Sequence, residues 1–156
     1  MTLWISAKNL GYLALPDACP RCFWIRTHCR LPYQVFPGIF SSIDAYTKKV
    51  IHLHLARTGK LPPWLAGFGD IGRPIPVPHH TKFAVADRET GVVLTGVPDE
   101  MTTSEAGLWI LDYKTAKFTG TQDSLLPMYR TQLNGYAMIA GTIYQAVQWG
   151  YIAFQV

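Results

Sequence analysis

The chain has little cysteine, little charge and no long apolar run. Its 156 residues include only 3 cysteines, Cys19, Cys22 and Cys29, all in the first fifth. An odd, clustered set argues against a disulfide framework. "CPRC" has metal-ligand spacing, but a structural zinc site wants four ligands, and the adjacent His28 and Cys29 rarely both reach one ion. Buried or half-buried thiols are the plainer expectation. Charged residues make up 15 % and hydrophobic ones 49 %, which excludes a disordered, self-repelling chain. No apolar run approaches the roughly 20 residues that cross a bilayer, and "MTLWISAKNL" is not a signal-peptide start. Cytoplasmic residence and no membrane partner are therefore expected. The length suits one domain with a genuine core, and the formal charge of +4 favours an anionic partner, most often nucleic acid.

Residues 1–40 read as an aromatic, cysteine-containing segment packed on a core formed by 41–156, with a short helix around "CPRCFWIRTHC". From Ser41 or Ser42 to Arg57 the chain is free of Pro and Gly. Ile43, Tyr46, Val50, Leu53 and Ala56 recur at helical spacing, with a serine cap before them and Gly59 after. The Gly- and Pro-rich stretch 59–80 reads as a loop. "KFAVAD", "VVLTGVPDE" and "LWILDYKTA" read as a three-strand antiparallel meander, joined by "RETG" and by "MTTSEAG". "TGTQDS" is a loop. "LLPMYRTQLNGYAMIAG" is a helix with Pro127 in its first turn and Gly141 at its end, and "AVQWGYIAFQV" is a closing strand. The predicted class is α/β, in the order αβββαβ, with a mixed sheet flanked by helices. An end inside a core strand points to a fragment or a shortened form.

Three charged residues stand at the ends of the apolar runs. Asp99 closes "GVPD", and Asp112 and Lys114 lie two apart on the next strand, which puts them on one face. Tyr113 then points oppositely and leaves its backbone carbonyl at the edge of the site. A hairpin brings Asp99 to Asp112, and paired carboxylates ionise together only when a cation joins them. Such hard oxygen ligands suit Mg²⁺ or Mn²⁺. A neighbouring lysine holds the attacking water and offsets charge on a phosphate. The plainer alternative is a same-face surface salt bridge worth well under ~1 kcal/mol.

"GVPD", twelve residues, "DYK", and then "QLNGY" on the next helix together resemble the PD-(D/E)xK nuclease superfamily in its RecB-like branch, over about residues 40–156. The resemblance implies a restriction-endonuclease-like αβββαβ core and a metal-dependent deoxyribonuclease of DNA repair or defence. Asp99, Asp112, Lys114, Gln132 and Tyr136 would be catalytic, and Asp99, Asp112 and the Tyr113 carbonyl would be metal ligands. Gln132 and Tyr136, at i and i+4, share a helix face. Many members carry a "GxxH" histidine on the first core helix. Here "SSID" stands in its place, so Asp44 is the expected replacement ligand and His54 the second choice. His52 and His54 are two apart, so at most one looks inward.

"CPRCFW" also resembles this branch, some of whose members complete an iron–sulfur cluster with later cysteines. No cysteine follows Cys29, and a cluster needs about four thiolates, so none is expected within this chain. His79 and His80 read as a solvated loop pair. Trp64 and Phe68 either stack on unpaired bases or pin their loop to the core. The leading expectation is hydrolysis of DNA phosphodiester bonds, on single or double strands, with a helicase or integrase partner or a second copy alongside. The alternative is a catalytically inert DNA-binding or scaffold subunit on the same fold.

Overall fold

The structure is a computed structural model. It describes residues 2–29, 32, 38–114, 122–144 and 149–155, and the side chains of all these except 40, 122, 123 and 149–155. The expected strand end at Thr115 and Ala116, the loop start at 119–121 and residues 146–148 and 156 of the closing strand lie outside the described residues. The chain is mixed α/β. It divides into two compact units, one formed by residues 1–34, 78–97 and 118–145, the other by 35–77, 98–117 and 146–156.

The first unit holds β1 (Leu3–Ser6), α1 (Ala7–Gly11), α2 (Pro20–His28), a three-stranded sheet completed by β3 (Ala84–Ala86) and β4 (Val92–Thr95), and α4 (Leu126–Tyr144). Its strand order is β1-β4-β3, with β1 parallel and β3 antiparallel to β4. Ser6 starts α1 by accepting from the Asn9 amide at 3.1 Å, an N-cap bond that satisfies an otherwise orphan donor. The apolar face of α4, with Leu133, Ala137, Ile139 and Ala140, is buried. α4 continues through Gly141, the expected end, to Tyr144. The helix expected around "CPRCFWIRTHC" is α2.

The second unit holds α3 (Gly38–Thr58), β2 (Arg73–Ile75), β5 (Glu100–Ser104), β6 (Gly107–Lys114) and β7 (Trp149–Gln155). Its sheet order is β2-β5-β6-β7, and β7 runs parallel to β6 with Asp112 opposite Ala153. A parallel neighbour needs a crossover, and in chain order that return passes through α4. Ile51, Leu55, Leu61, Leu65, Ile71, Leu111 and Tyr113 form the core of this unit.

Several expectations change. Arg73–Ile75, inside the stretch expected as a loop, is strand β2, antiparallel to β5. The meander is broken: β4 stops at Thr95 instead of running on to Glu100, and Glu100 joins Met101–Ser104, expected as part of a turn, in a strand paired antiparallel to β6. Pro98 has no N–H to continue a ladder, whereas Met101 and Thr102 are fully buried and the Thr102 hydroxyl donates to the Ile71 carbonyl at 2.5 Å. Only Glu105 and Ala106 turn the hairpin. On α3, the expected stripe of Ile43, Tyr46 and Leu53 is exposed, and Ile51 and Leu55 face the core. An α3 that is apolar on several sides does not reveal its inner face by period alone. Ser42 is no cap either, since its hydroxyl donates to the Gly38 carbonyl at 3.0 Å inside the helix.

Candidate functional site

The second unit gathers most of the predicted site. Asp99 does not end a strand. It stands just before β5, where its N–H donates to the Leu111 carbonyl at 3.1 Å. Its carboxylate accepts from the Tyr113 amide at 2.7 Å, so Tyr113 reaches this acid through its N–H. Asp99 is thus locked to β6 from both backbone and side chain.

α3 supplies the opposing charge. Asp44, Lys48, Ile51 and Leu55 fall at successive one-turn spacings, with the apolar pair on the core and the polar pair above it. The Lys48 ammonium lies 2.6 Å from Asp44 Oδ2 and 2.9 Å from Asp99 Oδ1. Burial pulls the Lys48 pKa down, but the two carboxylates outweigh it and leave it above the ordinary lysine value. Asp44 therefore reaches Asp99 through a lysine that sequence reasoning passed over. The available signal was the i, i+4 spacing of Asp44 and Lys48.

Asp112 and Lys114 share a face, as expected, and are ion-paired. Only 3 % of Asp112 is exposed. Its burial raises the carboxyl pKa, the Lys114 charge opposes that rise, Asp99 adds to it and Lys48 opposes it. Two acids and two lysines thus lie within mutual electrostatic reach.

A further acid was also missed. Glu100 follows Asp99 directly, is 4 % exposed, and its Oε2 lies 2.8 Å from Nδ1 of His52. The histidine joined to the strand acids is thus His52 and not His54, which sits two residues further along α3 on a different face. Burial lifts the Glu100 pKa, with His52 pulling it back. A raised carboxyl pKa means that the folded chain binds the proton more tightly than the unfolded one. Stability is then lost as pH climbs from the ordinary glutamate value through the raised one, and is flat above. Glu100→Gln should flatten this segment and melt above the wild type at mildly alkaline pH, with the gap closing in acid. Thermal melts across that range check it, and a parallel offset at every pH would refute the assignment.

Gln132 and Tyr136 belong to the first unit. Both are 3 % exposed, and Gln132 Nε2 donates to the Tyr136 hydroxyl at 2.8 Å while that hydroxyl donates to the Val97 carbonyl at 3.3 Å. They share a helix face, as their spacing predicts. Elsewhere, Cys19, Cys22 and Cys29 are exposed rather than buried. His79 and His80 contact each other on their loop, with His79 also bonded to Thr81. Trp64 and Phe68 are both exposed.

Oxygen donors from Asp44, Asp99 and Asp112 have the chemistry of a hard divalent-cation site. In the arrangement described, the cation lying between the first two is the Lys48 ammonium. Among the described residues, no three His, Cys, Asp or Glu side chains form a ready metal-holding group. Among them, too, no helix is long and apolar enough to cross a membrane. Compared with family models, curated proteins and solved structures, the chain matches none.

Proposed function

We propose that the chain is a metal-dependent nuclease of the PD-(D/E)xK type, RecB-like branch, that hydrolyses DNA phosphodiester bonds. The observation that carries this reading is the pairing of buried Asp112 with Lys114 on β6, beside an Asp99 fixed by the Tyr113 amide. The hairpin β5–β6 with a parallel β7 and the α3 helix over the sheet are in keeping with a restriction-endonuclease-like core. Asp99, Asp112, the Tyr113 carbonyl and Asp44 would hold Mg²⁺ or Mn²⁺, with Lys48 swinging off its carboxylates. When bound, the ion supplies charge stabilisation at phosphorus and a more acidic water. Lys114, ion-paired with Asp112, orients the attacking water and offsets charge on the phosphate. Gln132 and Tyr136 enter by resemblance alone, as groups that orient water or strand.

Purified protein should cleave DNA with Mn²⁺ or Mg²⁺ and stop on adding EDTA. Cleavage that ignores chelator, or persists in Lys114→Ala, would sink the mechanism. A second reading, an inert DNA-binding or scaffold subunit, is favoured by one observation. Lys48 and Lys114 already neutralise the acids, so the fold does not need a metal to tolerate them. DNA binding without cleavage or metal uptake would select it.

A further inference from the structure

The first unit holds a pair of thiols that the reading above does not use. Cys19 is the N-cap of α2 and Cys22 lies three residues on, in its first turn, with Pro20 between them at the first helical position. The Cys22 amide donates to Cys19 Sγ at 3.3 Å, so the sulfur stands over the helix start, where backbone N–H groups and the helix dipole favour negative charge. Residues three apart in a helical turn have Cβ atoms about 5–6 Å from one another, a spacing that small side-chain and backbone shifts convert to a disulfide. Both sulfurs are open to solvent. They border a cavity of about 170 Å³ that is also lined by Tyr12, Phe23, Arg26 and one acid, Asp17. The Arg26 guanidinium is held 4.5 Å above the Tyr12 ring, which places a cation beside the thiols for a carboxylate-bearing ligand.

We propose that Cys19 and Cys22 form a redox-active dithiol that exchanges with small anionic disulfides of the glutathione class. Cys19 is the attacking thiol. Hydrogen bonds from the Cys22 side chain and amide hold its pKa below the ordinary thiol value, whereas the same contact and the Cys19 charge raise that of Cys22. The Cys19 thiolate attacks one sulfur of RSSR, forming a Cys19–SR mixed disulfide and releasing RS⁻. Cys22, its proton lost to solvent, then attacks Cys19 Sγ, closes the Cys19–Cys22 bond and releases the second RS⁻. Two electrons pass from the protein to the small disulfide, which leaves as two thiols. This chemistry is independent of the acids in the second unit.

The test is incubation of the full chain with glutathione disulfide, followed by intact-mass and peptide mapping. The wild type and Cys29→Ser should each lose two hydrogens and carry a Cys19–Cys22 bond. Cys22→Ser should stop at one glutathionyl group on Cys19, and Cys19→Ser should react about tenfold more slowly at its remaining thiols. Serine is itself a good N-cap, so Cys19→Ser keeps α2 started. A wild type that retains the mixed disulfide overturns the proposal. So does equal glutathionylation of Cys29 and Cys19, or a purified chain holding a metal on Cys19 and Cys22.

Discussion

Asp112→Asn should lower DNA cleavage by about 10³-fold while melting at or above the wild-type temperature at mildly alkaline pH. The two halves of this result have one cause. Asp112 is buried on β6, and its burial raises the carboxyl pKa despite the Lys114 charge beside it. The fold therefore tolerates the ionised carboxylate rather than being stabilised by it, and stability falls as pH rises from the ordinary aspartate value through the raised one. A carboxamide of the same shape removes that cost, and with it the proposed metal ligand. Lys114→Ala should separate the two effects. It should abolish cleavage to a similar extent, yet melt lower, because it strips Asp112 of its ion-pair partner at a cost of about 2 kcal/mol. Scanning calorimetry and a plasmid-cleavage assay on the same three proteins check both. Equal destabilisation by the two substitutions would mean that the pair is a structural salt bridge.

Gly96→Ala should destabilise the chain by about 3 kcal/mol, a fall in melting temperature of about 6–12 °C for a protein of this size. A Cβ on Gly96 would lie 2.2 Å from Cε1 and 2.7 Å from Cδ1 of Tyr136. The ring has nowhere to retreat. Its hydroxyl is bonded to Gln132 and to the Val97 carbonyl, and the ring packs against Phe83 at 6.3 Å between centroids. The first residue of "GVPD" is thus glycine because an aromatic ring fills the place of its side chain. Gly141→Ala is the control. Nothing lies within 4 Å of a Cβ there, and alanine in a helix interior should be neutral or stabilising by up to about 1 kcal/mol. A Gly96→Ala protein that melts with the wild type would contradict this packing.

Much of this arrangement was legible in the sequence because it rests on period and punctuation. Helices α3 and α4 and strand β6 announce themselves through apolar runs and spacing, Pro127 and Gly59. The shared face of Asp112 and Lys114 and that of Gln132 and Tyr136 follow from strand and helix geometry alone. Where the reading failed, side-chain type misled. "MTTS" looks like a polar turn, but its threonines are β-branched and suit a strand, and Thr102 satisfies its buried hydroxyl on the Ile71 carbonyl. "LWIS" is too short to show a period, so β1 was hidden in an apparently irregular segment. Glu100 was missed because its partner is remote in sequence, and Lys48 because one of its two carboxylates is. Glu100 meets a histidine 48 residues away, and Lys48 joins Asp44 to an acid on another element.

The central claim is that the acids of the second unit form a divalent-cation site. Calorimetric titration with Mn²⁺ tests it most directly, on the wild type, Asp112→Asn and Lys48→Ala. Saturable binding is expected for the wild type, weakened at least about tenfold in Asp112→Asn and maintained or tightened in Lys48→Ala, where no ammonium competes for Asp44 and Asp99. No Mn²⁺ binding by the wild type, or equal affinity in Asp112→Asn, would contradict it.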